Sequence, residues 1–129
     1  LEIRHEYMVY GEFLQEGGRE AISRLLSLKE PPTALVVTDD LMAFGMLNTL
    51  ENMGIRVPDD ISVISFNNLL LSEVSKPPLT SVDIDIYHLG VHAAKGLIHM
   101  MTNENQSVEK KIISHKIIER NSCKRYQKL

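Results

Sequence analysis

The run Ile61 to Phe66 constrains this chain more than any other stretch. It reads Ile-Ser-Val-Ile-Ser-Phe and follows the turn-forming Pro58-Asp59-Asp60. A short β-branched, apolar run bounded by turn residues predicts one buried strand. The run stops at Asn67-Asn68. A similar run, Ala34 to Thr38, stops at Asp39-Asp40. From Asp39 or Asp40 a helix is predicted through Met53, because a carboxylate there accepts backbone N–H bonds and meets the positive helix end. Gly54 stops it. Glu16 to Leu28 carries Ala21, Ile22, Leu25, Leu26 and Leu28 near helical spacing and reads as an earlier helix. Strands alternating with helices make the fold class α/β, with a mainly parallel sheet covered by helices. Such sheets present ligand-binding groups at the carboxyl ends of their strands. Asp39 and Asn67 both fall at such ends.

The remaining segments fill in around these elements. Ile3 to Tyr10 is predicted as a strand ended by Gly11. Gly17-Gly18 marks the first turn of its helix, where close packing wants no side chain. Leu79 to Ile84 is a further β run behind Pro77-Pro78. Asp85 can cap a helix from Ile86 to Met101, ended by Thr102-Asn103. Asn103 to Ser107 is a polar turn and Lys111 to Glu119 a final β run. From Cys123 on, the chain reads as a frayed basic tail.

At 129 residues, 43% hydrophobic and 24% charged, the chain can bury one core and reads as one domain or a large part of one. Its net charge of −3 argues against this segment holding nucleic acid by itself. No apolar run approaches the ~20 residues of a membrane span, so no membrane partner is expected. No signal peptide is visible, although the chain opens on Leu1 and reads as a fragment. The single cysteine, Cys123, excludes an internal disulfide, suits a cytoplasmic location and reads as a thiol without a role.

Several residues are candidates for chemistry. Asp39 either hydrogen-bonds ligand hydroxyls while Asp40 serves the helix start, or both are only capping residues. A catalytic carboxylate pair would need a partnered nucleophile, base or metal motif, and none is present, so no enzyme is expected. Asn67 and Asn68 are ligand groups or an Asn-Asn turn. Phe13 alone would be an ordinary core residue. Asp59 and Asp60 precede a strand and read as turn residues at the opposite end of the sheet. His88, His92 and His99 share one face of their helix, away from its apolar stripe. That face reads as solvated rather than as a metal site. No metal or cofactor is expected. In the helix after Asp39, Met42, Ala43, Met46, Leu47, Leu50 and Met53 form the apolar stripe. Leu41 and Phe44 lie off its centre, marking a protein contact or packing beneath a loop.

Three motifs then occur in order: Thr38 to Gly45 (TDDLMAFG), Pro58 to Val82, and Ile117 to Ser122 (IIERNS). From about Gly11 to Ser122 the chain resembles the effector-binding domain of lactose-repressor-type (LacI/GalR) transcription regulators. Within that family it looks most similar to repressors of maltose-type sugar operons. The resemblance implies a type I periplasmic-binding-protein-like fold of two subdomains with the ligand between them. Residues 1–129 would be the C-terminal part, mostly the second subdomain, with about 86–116 crossing to the first. It implies sensing of a small-molecule effector, a sugar or oligosaccharide, by a homodimer that binds operator DNA through a head not in this chain. It puts Phe13, Asp39, Phe66 and Asn67 at the effector, and Leu41 and Phe44 at the dimer interface. The chain departs from the family at Asn67, where Asp is common. The alternative is a periplasmic sugar-binding protein of a transport system with the same architecture.

Overall fold

The computed structural model describes residues 4–102 and 110–125. Four strands form one sheet in the order β1-β2-β3-β4: β1 (Ala34–Val36), β2 (Ser62–Phe66), β3 (Thr80–Asp83) and β4 (Lys116–Ile118). The first three run parallel, with Leu35 opposite Val63 and Phe66 opposite Val82. β4 is antiparallel to β3. The helices are α1 (Gln15–Leu26), α2 (Asp40–Asn52), a single turn α3 (Leu71–Val74), and α4 (Ile86–Thr102).

The core lies where α1 and α2 pack on each other and on the sheet. Ile22 from α1, Leu50 from α2, and Val63 and Leu79 from the sheet region are wholly enclosed. Each such side chain contributes about 1.5–3 kcal/mol relative to exposure. The two helices approach closely through glycines. A Cβ on Gly18 would lie 2.0 Å from the Met42 carbonyl oxygen, and one on Gly17 2.2 Å from that of Glu12. The expected reason for Gly17-Gly18 in the first helical turn therefore holds. Gly54, at φ 71°, follows α2 in the left-handed conformation that glycine adopts without a steric penalty.

Some expected elements differ. Instead of a strand from Ile3 to Tyr10, His5–Tyr7 forms a 3-10 turn and Met8 to Tyr10 joins no ladder. Residues 1–3 lie outside the described residues, as does the expected turn at 103–107. The final β run shrinks to Lys116–Ile118, because only these residues face β3. Met53, expected on the apolar stripe, is 57% exposed, since it sits past the last helical turn as the C-cap.

The end of the chain is not frayed through Cys123 and Lys124. The Ser122 hydroxyl donates to the Val63 carbonyl (2.6 Å) and accepts from the Thr80 N–H (2.8 Å). The Val63 N–H donates to the Ser122 carbonyl at 2.8 Å. Ser122 thus fills the gap where β2 and β3 diverge. The Cys123 thiol also donates to the Val63 carbonyl, and the Lys124 N–H to the Ser62 hydroxyl.

α4 forms without a buried face: none of its residues is buried, and Leu97, Ile98 and Met101 are exposed together with His88 and His99, while His92 is half-buried. Its start is set by Asp85, whose carboxylate accepts from the His88 N–H at 3.3 Å and from its ring Nδ1 at 2.8 Å. The His88 ring bond holds the Asp85 carboxyl below its ordinary range. The His92 ring lies 3.0 Å from the Lys111 ammonium.

Candidate functional site

The parallel register of β1 and β2 sets the site. Val36 lies opposite Ile64, so Asp39 and Asn67, each three residues further on, leave the sheet at the same level. Asp39 is the N-cap of α2 in an extended conformation, and its Oδ1 accepts from the Leu41 N–H at 2.7 Å. Its Oδ2 accepts from the Asn67 side-chain amide, also at 2.7 Å. Both residues are half-buried. One negative charge is therefore shared by a helix start and an amide at adjacent strand ends. The Asn67 oxygen and second amide hydrogen engage nothing else among the described residues, and remain available to a ligand hydroxyl.

Asn67 is held in an unusual conformation, with φ 102°, and Asn68 follows at φ 51°. Left-handed backbone costs roughly 1–2 kcal/mol per residue for non-glycine types, least for Asn and Asp. Three backbone donors hold this turn in sequence. The Asn67 N–H donates to the Val82 carbonyl, the Asn68 N–H to the Ser81 hydroxyl at 3.0 Å, and the Leu69 N–H to the Asp40 carboxylate at 2.7 Å.

Asp40 corrects the sequence reading. It does not cap the helix; Asp39 does. Asp40 is fully enclosed, and its carboxylate accepts four hydrogen bonds. Oδ1 takes the hydroxyls of Ser65 and Ser81, and Oδ2 takes the Ser72 hydroxyl and the Leu69 N–H. Burying a carboxylate is tolerated when its lone pairs are filled in this way. The signal was present as two adjacent acids where a helix start needs one, but the three serine partners lie 25, 32 and 41 residues away. Arg120 was also missed as a support. Its guanidinium donates to the Leu79 carbonyl and to the Asn68 side-chain oxygen, at 2.7 and 2.8 Å.

The two aromatic candidates occupy different hollows. Phe13, 64% exposed and so not a core residue, lines a hollow of about 520 Å3 with Tyr10, Thr38 and Met42. Phe66 lines another, of about 350 Å3, with Ile84, Leu89 and His115. Leu41 and Phe44 are half-buried on α2. Phe44 shares a shallow hollow with Leu71 and Val74, which are 54% and 71% exposed. Asp60 lies far from the site and pairs with Arg56, whose guanidinium and N–H draw its carboxyl down to about 2. Among the described residues no group of three His, Cys, Asp or Glu could hold a metal ion, and no helix is long and apolar enough to cross a membrane.

Known proteins share this fold. The profile of the family described as "Periplasmic binding protein-like domain" matches residues 2–123. The HTH-type transcriptional repressor ExuR of Bacillus subtilis is 36% identical over 125 residues, covering 97% of this chain and 38% of that protein. A LacI transcriptional regulator structure from Bacillus cereus subsp. cytotoxis superimposes with a TM-score of 0.95 at 41% identity, over 98% of this chain and 45% of that one. The complex of the transcriptional regulator CelR with cellobiose gives 0.88 at 27% identity, over 95% and 37%. The chain spans less than half the length of each of these relatives. It belongs to the periplasmic binding protein-like domain family, and its relatives there are LacI-type transcriptional regulators.

Proposed function

We propose that this chain is the effector-sensing and dimerising part of a LacI-type transcriptional repressor that responds to a sugar. The observation that carries the reading is the Asp39–Asn67 pair at the ends of adjacent parallel strands. A carboxylate beside an amide with spare donor and acceptor capacity suits ligand hydroxyls, and an exposed aromatic such as Phe13 suits the C–H face of a sugar ring. The similarity to the CelR–cellobiose complex supports a sugar or oligosaccharide. The lack of any buried residue on α4 supports a second subdomain that receives residues 86–116 and completes the cleft. Leu41 and Phe44, with the exposed Leu71 and Val74 beside Phe44, support a homodimer contact. Operator DNA would be held by a head outside this chain, in the cytoplasm. No turnover is part of the function: effector affinity that differs between closure states shifts the population and the operator affinity. The repressor relatives weigh against the transport reading.

The test is calorimetric titration of the full-length protein with cellobiose, maltose and a panel of related sugars. Operator binding is measured alongside, on a site selected from random DNA. At least one sugar should bind and change operator affinity. A protein that binds none, or whose operator affinity none alters, overturns the reading.

A further inference from the structure

Asp40 cannot touch a ligand, because it is wholly enclosed. Yet it reaches four segments on the Asn67 side of the proposed site. Its four donors come from the end of β2 (Ser65), the loop beyond it (Leu69), α3 (Ser72) and β3 (Ser81). Two of these bear directly on Asn67. Leu69 N–H is the next donor but one after Asn67. The Ser81 hydroxyl, which donates to Asp40, itself accepts from the Asn68 N–H. The two left-handed residues Asn67 and Asn68 are therefore clamped from the following side by one carboxylate, directly at Leu69 and through Ser81 at Asn68.

We infer that Asp40 is a positioning residue for effector binding: it holds the 67–69 turn so that the Asn67 amide meets Asp39. The inference rests on the proposed effector site. A backbone N–H cannot turn around to accept, whereas a serine hydroxyl can. Asp40→Asn keeps the shape but replaces one acceptor oxygen by a donor amide. The two oxygens that now serve four donors become one. The serine hydroxyls compete with Leu69 N–H for it, and the turn loosens. The same carboxylate also moors Ser72, so α3, whose Leu71 and Val74 face outward, loosens with the turn.

The experiment compares wild type, Asp40→Asn, Asn67→Ala and the double variant in the full-length protein. Binding is titrated with cellobiose or maltose, whichever the wild type takes. Exchange of the Leu69 amide hydrogen is followed by NMR without sugar. Asp40→Asn should speed Leu69 exchange and weaken sugar binding about tenfold, the loss of roughly one hydrogen bond. The double variant should bind no more weakly than Asn67→Ala alone, because Asp40 acts through that amide. Unchanged Leu69 exchange in Asp40→Asn overturns the inference, as does faster exchange with unchanged affinity. Losses that simply add in the double variant overturn it too, since a merely structural role would not be masked by Asn67→Ala. An Asn67→Ala protein that binds sugar like the wild type removes Asn67 from the effector site, and with it the inference. The proposed function, which fails if no sugar binds or if none alters operator affinity, survives that result. If Asp40→Asn does not accumulate folded, rapid exchange of Leu69 in the wild type is itself enough to refute the clamp.

Discussion

Asn67→Asp is the most informative single change at this site. It turns the donor of the 2.7 Å amide–carboxylate bond into a second carboxylate oxygen facing Asp39. Two like charges at about 4 Å repel by about 4 kcal/mol at an effective dielectric of 20. Both groups are half-buried, so solvent screening reduces this, and about 1–3 kcal/mol is the expected cost. The pair relieves the repulsion by parting or by keeping one shared proton. One carboxyl of the pair should therefore titrate well above the ordinary carboxylate range. Below that raised value the shared proton restores a donor at position 67. Above it the repulsion is present in full. Sugar affinity of Asn67→Asp should thus fall by about fivefold to a hundredfold at neutral pH and recover on acidification. The exchanged pair, Asp39→Asn with Asn67→Asp, restores one charge and one amide. An Asn at position 39 still accepts from Leu41 N–H through its oxygen while its amide donates to position 67. The exchanged protein should bind sugar at neutral pH more tightly than Asn67→Asp, without the new pH dependence. Calorimetry across this pH range, with carboxyl NMR titration, makes the measurement. If Asn67→Asp binds with wild-type affinity at every pH and shows no raised carboxyl, the paired geometry is wrong.

Three other outcomes are expected. Phe44→Asp should convert a full-length dimer into monomer, because burying an unpaired carboxylate at the contact costs several kcal/mol; light scattering that still reports a dimer would remove Phe44 from the interface. Gly18→Ala should destabilise the fold by about 3 kcal/mol or more, above the usual overpacking cost, because its Cβ would press on the Met42 carbonyl oxygen. Urea denaturation reads this directly. Arg56→Ala should return the Asp60 carboxyl from about 2 toward its ordinary value of 3.8. Since the pairing lowers the folded-state value, its small contribution to stability is present above about pH 4 and disappears as pH falls toward 2. An Asp60 titration unmoved by the substitution would discount the pair.

Local chemistry made much of this structure legible. Ser62–Phe66 alternates half-buried and buried residues as a strand beside two others should, and a helix does start at the Asp39-Asp40 pair, with Asp39 rather than Asp40 as its cap. Gly17 and Gly18 pointed to tight packing without naming Met42 as the neighbour. What stayed hidden depended on distant partners. The strand expected from Ile3 to Tyr10 needs a ladder, and its described residues, Arg4 to Tyr10, find none in this sheet. Asp40 could not be told from an ordinary helix-start acid until Ser65, Ser72 and Ser81 converged on it. The two asparagines were visible as a polar strand end, but their left-handed backbone follows from the bonds to Val82, Ser81 and Asp40.

The bonds made by Ser122 bear on the order in which the chain can mature during synthesis. Val63 is wholly enclosed, yet its carbonyl and N–H both pair with a residue made 59 positions later. The Thr80 N–H likewise waits 42 positions for its acceptor. At roughly 5–20 residues per second, several seconds separate the emergence of β2 from that of its final partner. Throughout that interval the gap between β2 and β3 has water, or another chain, as its only source of hydrogen bonds. A stop before Ser122 would leave those polar groups open without their protein partner. Nascent chains halted there should therefore be better substrates for chaperones and proteases than chains only a few residues longer.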